Sequence, residues 1–209
     1  MLDIISLFDC TGRMVSPWAA AGFSTLTVDI KAAHHDGPSL VADISTATLP
    51  AARVVFAFPP CTHLAASGAR WWKGKGPEVL TDALALVSAA RVATAQAHWY
   101  LIENPVGRLS TYWRAPDWSF DPWEFAGYNS DPAEDAYTKR TCIWGNIPKP
   151  IRRPVDPVDG SWVLRFPPSP DRAHLRSVTP QGFAHAIFQT LSPMVRAGKR
   201  APQQQYLGW

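Results

Sequence analysis

The stretch Arg53-Val54-Val55-Phe56-Ala57-Phe58-Pro59-Pro60-Cys61-Thr62-His63 places a cysteine directly after an apolar run and two consecutive prolines. The apolar run is typical of a buried parallel strand. The two prolines fix two φ angles and remove two backbone donors, so the strand must stop and a stiff loop carries the thiol. Cys61 is therefore either a positioned nucleophile or a small buried apolar residue that follows a turn.

The composition predicts one globular domain. The chain has 209 residues, of which 46% are hydrophobic and 11% aromatic, and this proportion suits one full core rather than two small ones. A formal net charge of +3 favours a polyanionic partner only weakly. We expect a monomer with a single domain over residues 1–209.

The three cysteines, Cys10, Cys61 and Cys142, are widely separated and form no C-x-x-C pair. This spacing indicates neither a disulfide framework nor a zinc site, so we expect free thiols in a reducing cytoplasm and no bound metal. The sequence contains no apolar run near the roughly 18 residues that span a bilayer, and it does not open on a targeting segment. We therefore expect a soluble, cytoplasmic protein with no membrane partner.

Alternating strand and helix patterns predict an α/β fold with a mostly parallel central sheet. Strands are predicted at residues 2–8, 23–30, 39–44, 53–57 and 99–102, and helices at 14–22 and 78–98. Asp29, Asp43 and Glu103 lie at or just after the ends of such strands. Because the carboxyl ends of parallel strands meet at one edge, we expect these acids and Cys61 on the same rim. Each acid alone is also compatible with an ordinary loop or capping role.

The second half of the chain lacks long periodic segments. Residues 108–127 are rich in Trp, Tyr, Pro and Asp, which favours aromatic packing in ordered loops over stacking on bases. A strand preceded by the basic pair Lys139-Arg140 is predicted within 136–145, and it completes a core over 1–145. A Pro-rich connection (146–176), a C-terminal helix (177–195) with Thr179 as its cap and a frayed tail (196–209) follow.

The order of these residues resembles the DNA (cytosine-5) methyltransferase family, particularly its compact phage-encoded members. The resemblance is carried by Leu7-Phe8-x-x-x-Gly12, Asp29, Asp43-Ile44, Pro59-Pro60-Cys61, Glu103-Asn104 and Lys139-Arg140, with a weaker echo in Pro180-Gln181-Gly182-Phe183-Ala184. It covers roughly residues 3–145. It implies a Rossmann-like S-adenosylmethionine-dependent methyltransferase fold with helices on both faces of the sheet, and the host cytoplasm as the location if the protein is phage-encoded.

The resemblance also implies a reaction. Cys61 would add as a thiolate to C6 of cytosine, which makes C5 nucleophilic enough to take a methyl group from a sulfonium. Glu103 would face the N3 edge of the base if burial raises its pKa, and Arg140 would contact the base and steady the nucleophile loop. The implied substrate-binding residues are Pro60, Ser67, Arg70, Trp71, Trp72, Lys73, Lys75, Asn104 and Pro105. The DNA base must be flipped out of a duplex or be single-stranded.

By the same resemblance, S-adenosylmethionine would lie over the first turn. The implied cofactor-binding residues are Phe8, Asp9, Cys10, Thr11, Gly12, Asp29, Ile30, Asp43, Ile44, Pro59, Phe183 and Ala184. In this set Asp29 would hold the ribose and Asp43 the adenine amine, while the backbone of residues 9–12 would meet the amino acid moiety.

The chain departs from the family pattern at three places. Cys10 stands at the first glycine of the cofactor turn, and Cys142 stands where many members carry a second arginine. The interval between Trp144 and the last helix is too short for the usual target-recognition domain. The loop 70–75 is therefore interpreted as a DNA contact, the alternative being a solvated turn whose tryptophans pack inward.

Other functions compete with methylation of duplex DNA. The same chemistry on single-stranded DNA or a free cytosine nucleotide is the nearest alternative. A non-catalytic DNA-binding relative of the fold is the second. A Cys-His hydrolase that uses Cys61 and His63 is disfavoured, because residues two apart on a loop seldom align as nucleophile and base and no orienting acid is evident.

Overall fold

The computed structural model describes residues 1–158, 169 and 172–202. The strands are β1 (Leu2–Leu7), β2 (Thr25–Asp29), β3 (Ser39–Val41), β4 (Ala52–Ala57), β5 (Trp99–Pro105), β6 (Trp118–Phe120) and β7 (Thr141–Gly145). The α-helices are α1 (Ser16–Ala20), α2 (Pro77–Thr94), α3 (Leu109–Tyr112), α4 (Arg172–Ser177) and α5 (Gln181–Arg196). No helix in the described part of the chain is long and apolar enough to cross a membrane.

The strands form one seven-stranded sheet in the order β3-β2-β1-β4-β5-β7-β6. Strands β1 to β5 pair in parallel, and β7 is antiparallel to both β5 and β6. The predicted α/β class and mostly parallel sheet are confirmed. The chain winds outward from β1 in one direction and then from β4 in the other, which creates a crevice at the carboxyl ends of these neighbouring strands.

Helices cover both faces of the sheet, as expected. Alternation along β4 sends Val54 and Phe56 to one face and Val55 and Ala57 to the other, because successive side chains of a strand point to opposite sides. The first face packs against α1 and α5 and the second against α2. Burying a large apolar side chain completely stabilises the folded state by about 1.5–3 kcal/mol relative to leaving it exposed. The two apolar layers therefore determine which helices pack on each face of the sheet.

Three elements, β5, α4 and β6, differ from the sequence prediction. The strand predicted at 99–102 extends to Pro105, since its last residues find antiparallel partners in β7, with Glu103 opposite Ile143. Helix α4 lies in the connection that was predicted to be irregular. The short strand β6 was not predicted, because three residues in an aromatic-rich segment carry no period. Residues 159–168 of the connection and 203–209 of the tail lie outside the described residues.

The start of α5 also corrects a prediction. Thr179 does not cap the helix: the N-cap position is Pro180, and it has no side-chain cap hydrogen bond. Instead, the buried Asp135 carboxylate accepts a 2.6 Å hydrogen bond from the Gly182 N–H. A remote carboxylate can replace a local cap because it satisfies the same unpaired donor at the helix N-terminus.

Candidate active site

A cavity of about 250 Å³ lies at the carboxyl ends of the parallel strands. The described residues that line it are Phe8, Asp9, Cys10, Thr11, Asp29, Ile30, Lys31, Phe58, Pro59, Pro60, Cys61, Thr62, Glu103, Pro105, Lys139, Ser177 and Thr179. The cavity therefore contains the predicted nucleophile Cys61 and the predicted acid Glu103, and we call it the strand-end cavity.

Strand register explains why distant residues meet there. Leu7 pairs with Val28 on one side and with Ala57 on the other, and Ala57 pairs with Ile102. The next residues along these four strands are Asp29, Phe8, Phe58 and Glu103, and all of them line the strand-end cavity. The sheet thus presents one row of side chains just beyond the last row that β2, β1, β4 and β5 share.

Phe8 adopts an unusual backbone conformation at this edge. Its φ of 57° is the only positive value found for a non-glycine residue in the described ranges. The Phe8 N–H donates a 2.8 Å hydrogen bond to the Val28 carbonyl, which ties the strained residue to β2. Such a conformation costs on the order of 1–3 kcal/mol and persists where the surroundings impose it, often at a functional site.

Asp9 organises the turn after β1 rather than reaching a ligand. One carboxylate oxygen accepts hydrogen bonds from the N–H groups of Thr11 (3.1 Å) and Gly12 (2.9 Å), and the other accepts from the Ser6 hydroxyl (2.7 Å). Two of the backbone donors expected to meet the amino acid moiety of the cofactor, those of Thr11 and Gly12, are therefore already used within the turn.

Gly12 is required by a neighbouring histidine. It has a φ of +66°, and a Cβ placed there would lie 2.6 Å from the ring of His35. That ring is held by the Thr27 hydroxyl (2.9 Å) and by the Gly37 N–H (3.0 Å). The predicted cofactor residue Gly12 thus faces the loop after β2, and it is not among the lining residues of the strand-end cavity.

Asp29 and Ile30, two of the predicted cofactor-binding residues, both line the strand-end cavity. Asp29 ends β2 and lines the strand-end cavity, with one oxygen accepting the Lys31 N–H at 2.8 Å. Ile30 also lines the cavity, although 70% of it is exposed. Burial raises the pKa of the Cys10 thiol, and the charges of Asp29 and Asp9 raise it further. A carboxylate beside an exposed apolar side chain offers contacts for a ribose and for the flat face of a base.

The other predicted cofactor residues lie elsewhere. The exposed Asp43 carboxylate accepts hydrogen bonds from Ser45, which lower its pKa. Ile44 lines a separate apolar cavity of about 410 Å³ between α2 and residues 44–52. Phe183 stacks on Phe120 with ring centroids 4.2 Å apart, and Ala184 is fully buried beside it. Hydrophobic packing of α5 buries the last two side chains, so the structure does not bring Phe183 and Ala184 to the strand-end cavity.

Glu103 and Cys61, the predicted acid and nucleophile, form the candidate reactive pair of the strand-end cavity. Burial raises the pKa of Glu103, and the positive charge of Lys139 acts in the opposite direction. Burial also raises the pKa of the Cys61 thiol, and the charge of Glu103 raises it further, whereas Lys139 and Arg176 lower it. Burial thus disfavours a negative charge on either group, and Lys139 opposes this effect at both. The condition that the sequence placed on Glu103, a raised pKa, is met.

Asn104 anchors the Pro-Pro-Cys loop from behind. It is fully buried, and its amide nitrogen donates a 2.8 Å hydrogen bond to the Pro59 carbonyl. Asn104 is not among the described residues that line the strand-end cavity. The predicted contact with substrate is therefore corrected to a positioning role, because adjacent residues of β5 face opposite sides and Glu103 takes the cavity side.

Lys139, and not Arg140, faces the reactive pair. Lys139 lines the cavity, and its ammonium donates a 2.9 Å hydrogen bond to the Arg176 carbonyl. Arg140 instead forms ion pairs with Asp121 (3.2 Å) and Glu124 (3.4 Å). The structure thus does not bring the predicted catalytic Arg140 to the cavity. Neighbouring residues of an extended segment point apart, so the basic pair can supply only one of its members.

The loop after Cys61 packs against the segment that follows β5. Residues Ala66–Gly74 form a 3₁₀ helix, and Ala65 and Gly107 form a backbone bridge. The guanidinium of Arg108 lies 3.9 Å from the ring centre of Trp72, whereas Trp71 remains 61% exposed. The loop therefore combines both interpretations of its tryptophans, one packed and one presented to solvent. Ser67, Arg70 and Lys73 are exposed on it.

His63 does not join Cys61 as a catalytic partner. Its Nδ1 accepts a 3.0 Å hydrogen bond from the Lys75 ammonium, and burial followed by the Lys75 charge lowers its pKa. His63 is not among the described lining residues of the strand-end cavity. This geometry argues against the Cys-His hydrolase.

The sequence reasoning missed several residues of the cavity: Lys31, Phe58, Thr62, Lys139, Ser177 and Thr179. Phe58 and Thr62 flank the Pro-Pro-Cys motif, and register along β4 would have suggested Phe58. Ser177 and Thr179 carried no sequence signal, because they return to the site from the far end of the chain.

The fold and the strand-end cavity define an α/β protein whose candidate active site lies at the carboxyl edge of a mostly parallel sheet. No protein-family model matches the chain, and no curated protein matches it. The described residues contain no group of three or more His, Cys, Asp or Glu side chains that could hold a metal ion.

Proposed function

We propose that this protein transfers a methyl group from S-adenosylmethionine to C5 of cytosine in DNA, through a covalent bond between the Cys61 sulfur and C6 of the base. The observation that carries the proposal is that Cys61 and Glu103 line one cavity at the strand ends, beside Phe8 and Asp29. A thiol and a carboxyl with a raised pKa are the two groups that this chemistry requires.

The proposed mechanism moves one proton between the two groups. Glu103 in its carboxylate form takes the proton of the Cys61 thiol, and the thiolate attacks C6. As the carbon–sulfur bond forms, the electron pair of the C5–C6 double bond shifts toward C5, and Glu103 delivers the proton to N3. Burial raises the pKa of Glu103, which helps the carboxylate accept the proton, and the transfer moves one negative charge between the two groups without adding another.

The residues then reverse their roles. S-adenosylmethionine, when bound, supplies an electrophilic methyl group to C5. A base removes the C5 proton, the double bond re-forms and the Cys61 thiolate leaves. Glu103 takes back the proton of N3. Asn104 keeps the thiol in place throughout, because its hydrogen bond to the Pro59 carbonyl restrains the loop.

S-adenosylmethionine fits one half of the expected site. The carboxylate of Asp29 suits ribose hydroxyls, and the side chains of Phe8 and Ile30 suit the apolar face of adenine. Asp43, Phe183 and Ala184 make no such contribution in this arrangement. The fit therefore supports the adenosyl portion of the cofactor, held by residues that end β1 and β2.

Mass spectrometry with a fluorocytosine oligonucleotide tests the proposal. Fluorine at C5 cannot leave as a cation, so the adduct should accumulate when protein, oligonucleotide and S-adenosylmethionine are mixed. Peptide mapping should place the added mass on Cys61, with the peptides of Cys10 and Cys142 as internal controls. The proposal fails if no substrate gives an adduct while the folded protein binds S-adenosylmethionine.

Methylation of single-stranded DNA or a free cytosine nucleotide is the second candidate. One observation favours it, namely that residues 146–158 pack on the core. The Val158 N–H donates a hydrogen bond to the Ala136 carbonyl (2.9 Å), and the Gly127 N–H donates one to the Arg153 carbonyl (2.9 Å). This part of the chain forms no separate recognition unit. Parallel assays with duplex, single strand and dCMP distinguish the substrates.

A further inference from the structure

Two positive charges, those of Lys139 and Arg176, act on the part of the strand-end cavity around Cys61. Lys139 is half-buried there, and its described hydrogen bond goes to a neutral carbonyl, that of Arg176. Both charges act to lower the pKa of Cys61, against the larger raising effect of burial. Burial raises the pKa of Cys61 and of Glu103, which disfavours a negative charge on either group beside Lys139. An anion bound at this end would gain charge-assisted contacts.

Hydroxyl groups surround the same end. Ser177 at the end of α4 and Thr179 just before α5 line the cavity, and Thr62 lines it directly after Cys61. The Lys139 bond to the Arg176 carbonyl ties that segment to the cavity. An ammonium with neighbouring hydroxyl donors is the combination that binds phosphate oxygens in proteins.

We propose that Lys139, Ser177 and Thr179 form a subsite for the phosphate group attached to the target nucleotide. The identification of that nucleotide as cytosine rests on the proposed function. The substrate class is then a phosphorylated nucleotide, either a mononucleotide or one unit of a strand, and not a free base or nucleoside. The other end of the cavity, with Asp29 and Ile30, is left for the cofactor.

Calorimetric titration of the full chain tests the subsite. The probes are dCMP, deoxycytidine and a short single-stranded oligonucleotide that contains cytosine, each with the wild type, Lys139→Met and Thr179→Val. We expect the wild type to bind the phosphorylated probes more tightly than deoxycytidine. Lys139→Met should reduce that preference by about tenfold or more, and Thr179→Val should reduce it in the same direction.

Two further variants separate binding from structure. Lys139→Arg should retain most of the preference, since it keeps the charge. Lys199→Met removes the same charge from the exposed segment after α5 and should leave the preference unchanged. If Lys139→Met does not fold, Thr179→Val and Lys139→Arg still decide the matter.

The outcomes are distinct. Equal losses for dCMP and deoxycytidine in Lys139→Met would show that the residue only tethers the Arg176 segment, and this result overturns the subsite. A wild type without preference for phosphorylated probes, or with no binding of any probe, overturns it as well. If a Lys139-dependent preference exists but fluorocytosine gives no adduct, the subsite stands and the cytosine chemistry fails. Preference for dCMP over the oligonucleotide identifies a mononucleotide, and the reverse identifies a strand.

Discussion

Glu103 and Cys61 influence each other inside one cavity. Burial raises the pKa of both groups, and the charge of Glu103 raises that of Cys61 further. Lys139 opposes both shifts. Since two neighbouring buried anions are costly, the pair favours states with at most one negative charge. A reaction that passes a single proton between them matches this constraint.

The raised pKa of Glu103 predicts a pH-dependent stability. Between the unfolded value, about 4.3, and the raised folded value, the folded chain holds a proton that the unfolded chain has lost. The free energy of unfolding of the wild type should therefore fall as pH rises through this window. Glu103→Gln removes the titration, so its stability relative to wild type should increase with pH, by about 1.4 kcal/mol for each unit between the two pKa values.

Denaturant unfolding of both proteins from pH 4 upward measures this difference. Glu78→Gln, which makes the same chemical change on the exposed first turn of α2, serves as the matched control and should not show the rise. A stability difference between Glu103→Gln and wild type that stays constant with pH would contradict the buried, protonated carboxyl.

The turn after β1 accommodates Cys10 at a position where the family that the sequence resembles usually has a glycine. Positive φ angles fall on Phe8 and Gly12, on either side of Cys10. Asp9 takes the N–H groups of Thr11 and Gly12, which fixes the turn without a glycine at position 10. The departure noted in the sequence thus has a local structural basis.

At the scale of elements, β7 decides which basic residue reaches the cavity. It runs antiparallel to β5, with Pro105 opposite Thr141, so the residues just before Thr141 arrive at the carboxyl end of β5. Lys139 then faces Glu103, while Arg140 pairs with Asp121 and Glu124. The basic pair is visible in the sequence, but the direction of the strand and the alternation of its side chains determine that Lys139, and not Arg140, reaches the cavity.

The contact between the nucleophile loop and the segment after β5 predicts the effect of a glycine substitution. A Cβ at Gly107 would lie 1.9 Å from the Leu64 carbonyl oxygen, so Gly107→Ala must displace the loop that carries Cys61. We expect a reduced rate of fluorocytosine adduct formation, about tenfold or more because small misplacements of reacting groups are costly, with S-adenosylmethionine binding retained.

Gly74→Ala is the matched control for this prediction. A Cβ at Gly74 would meet no atom within 4 Å, and Gly74 ends the 3₁₀ helix of the same loop. Its adduct rate should equal that of the wild type. Equal rates in Gly107→Ala and Gly74→Ala would show that the bridge between Ala65 and Gly107 does not position the thiol.

At the scale of the whole molecule, the segments with a clear apolar pattern were predictable, whereas the segments from the second half of the chain that pack back on the sheet or the cavity were not. The strands β1, β2 and β4 carry clear apolar runs, and acids or the Pro-Pro-Cys motif mark their ends. A helix separates β1 from β2 and another separates β4 from β5, which favours parallel pairing, so Asp29, Cys61 and Glu103 could be assigned to one rim. The β6–β7 pair, α4 and the residues Ser177 and Thr179 depend on long-range contacts that no local pattern encodes.

The predicted cofactor residues divide in the same way, into those that a strand end indicates and those that no local pattern indicates. Phe8, Asp29 and Ile30 follow directly from strand ends and reach the strand-end cavity. Phe183 and Ala184 were assigned by resemblance alone, and their side chains pack in the core. An apolar residue near the start of a helix can serve either a ligand or a core, and its burial depends on which elements cover it.

Phe183 therefore tests how the C-terminal helix contributes to the molecule. It is 1% exposed and stacks on Phe120, at 4.2 Å between ring centres. Phe183→Ala should lower the free energy of unfolding by about 3–5 kcal/mol, and Phe183→Leu by less, because each removes packing between α5 and β6. Phe120→Ala removes the same stack from the other side and should cost a similar amount.

In each variant that remains folded, we expect calorimetry to give the wild-type affinity for S-adenosylmethionine. Weaker cofactor binding in Phe183→Leu than in Phe120→Leu would instead restore Phe183 to the cofactor site, since both lose the ring contact but only one would lose a ligand contact.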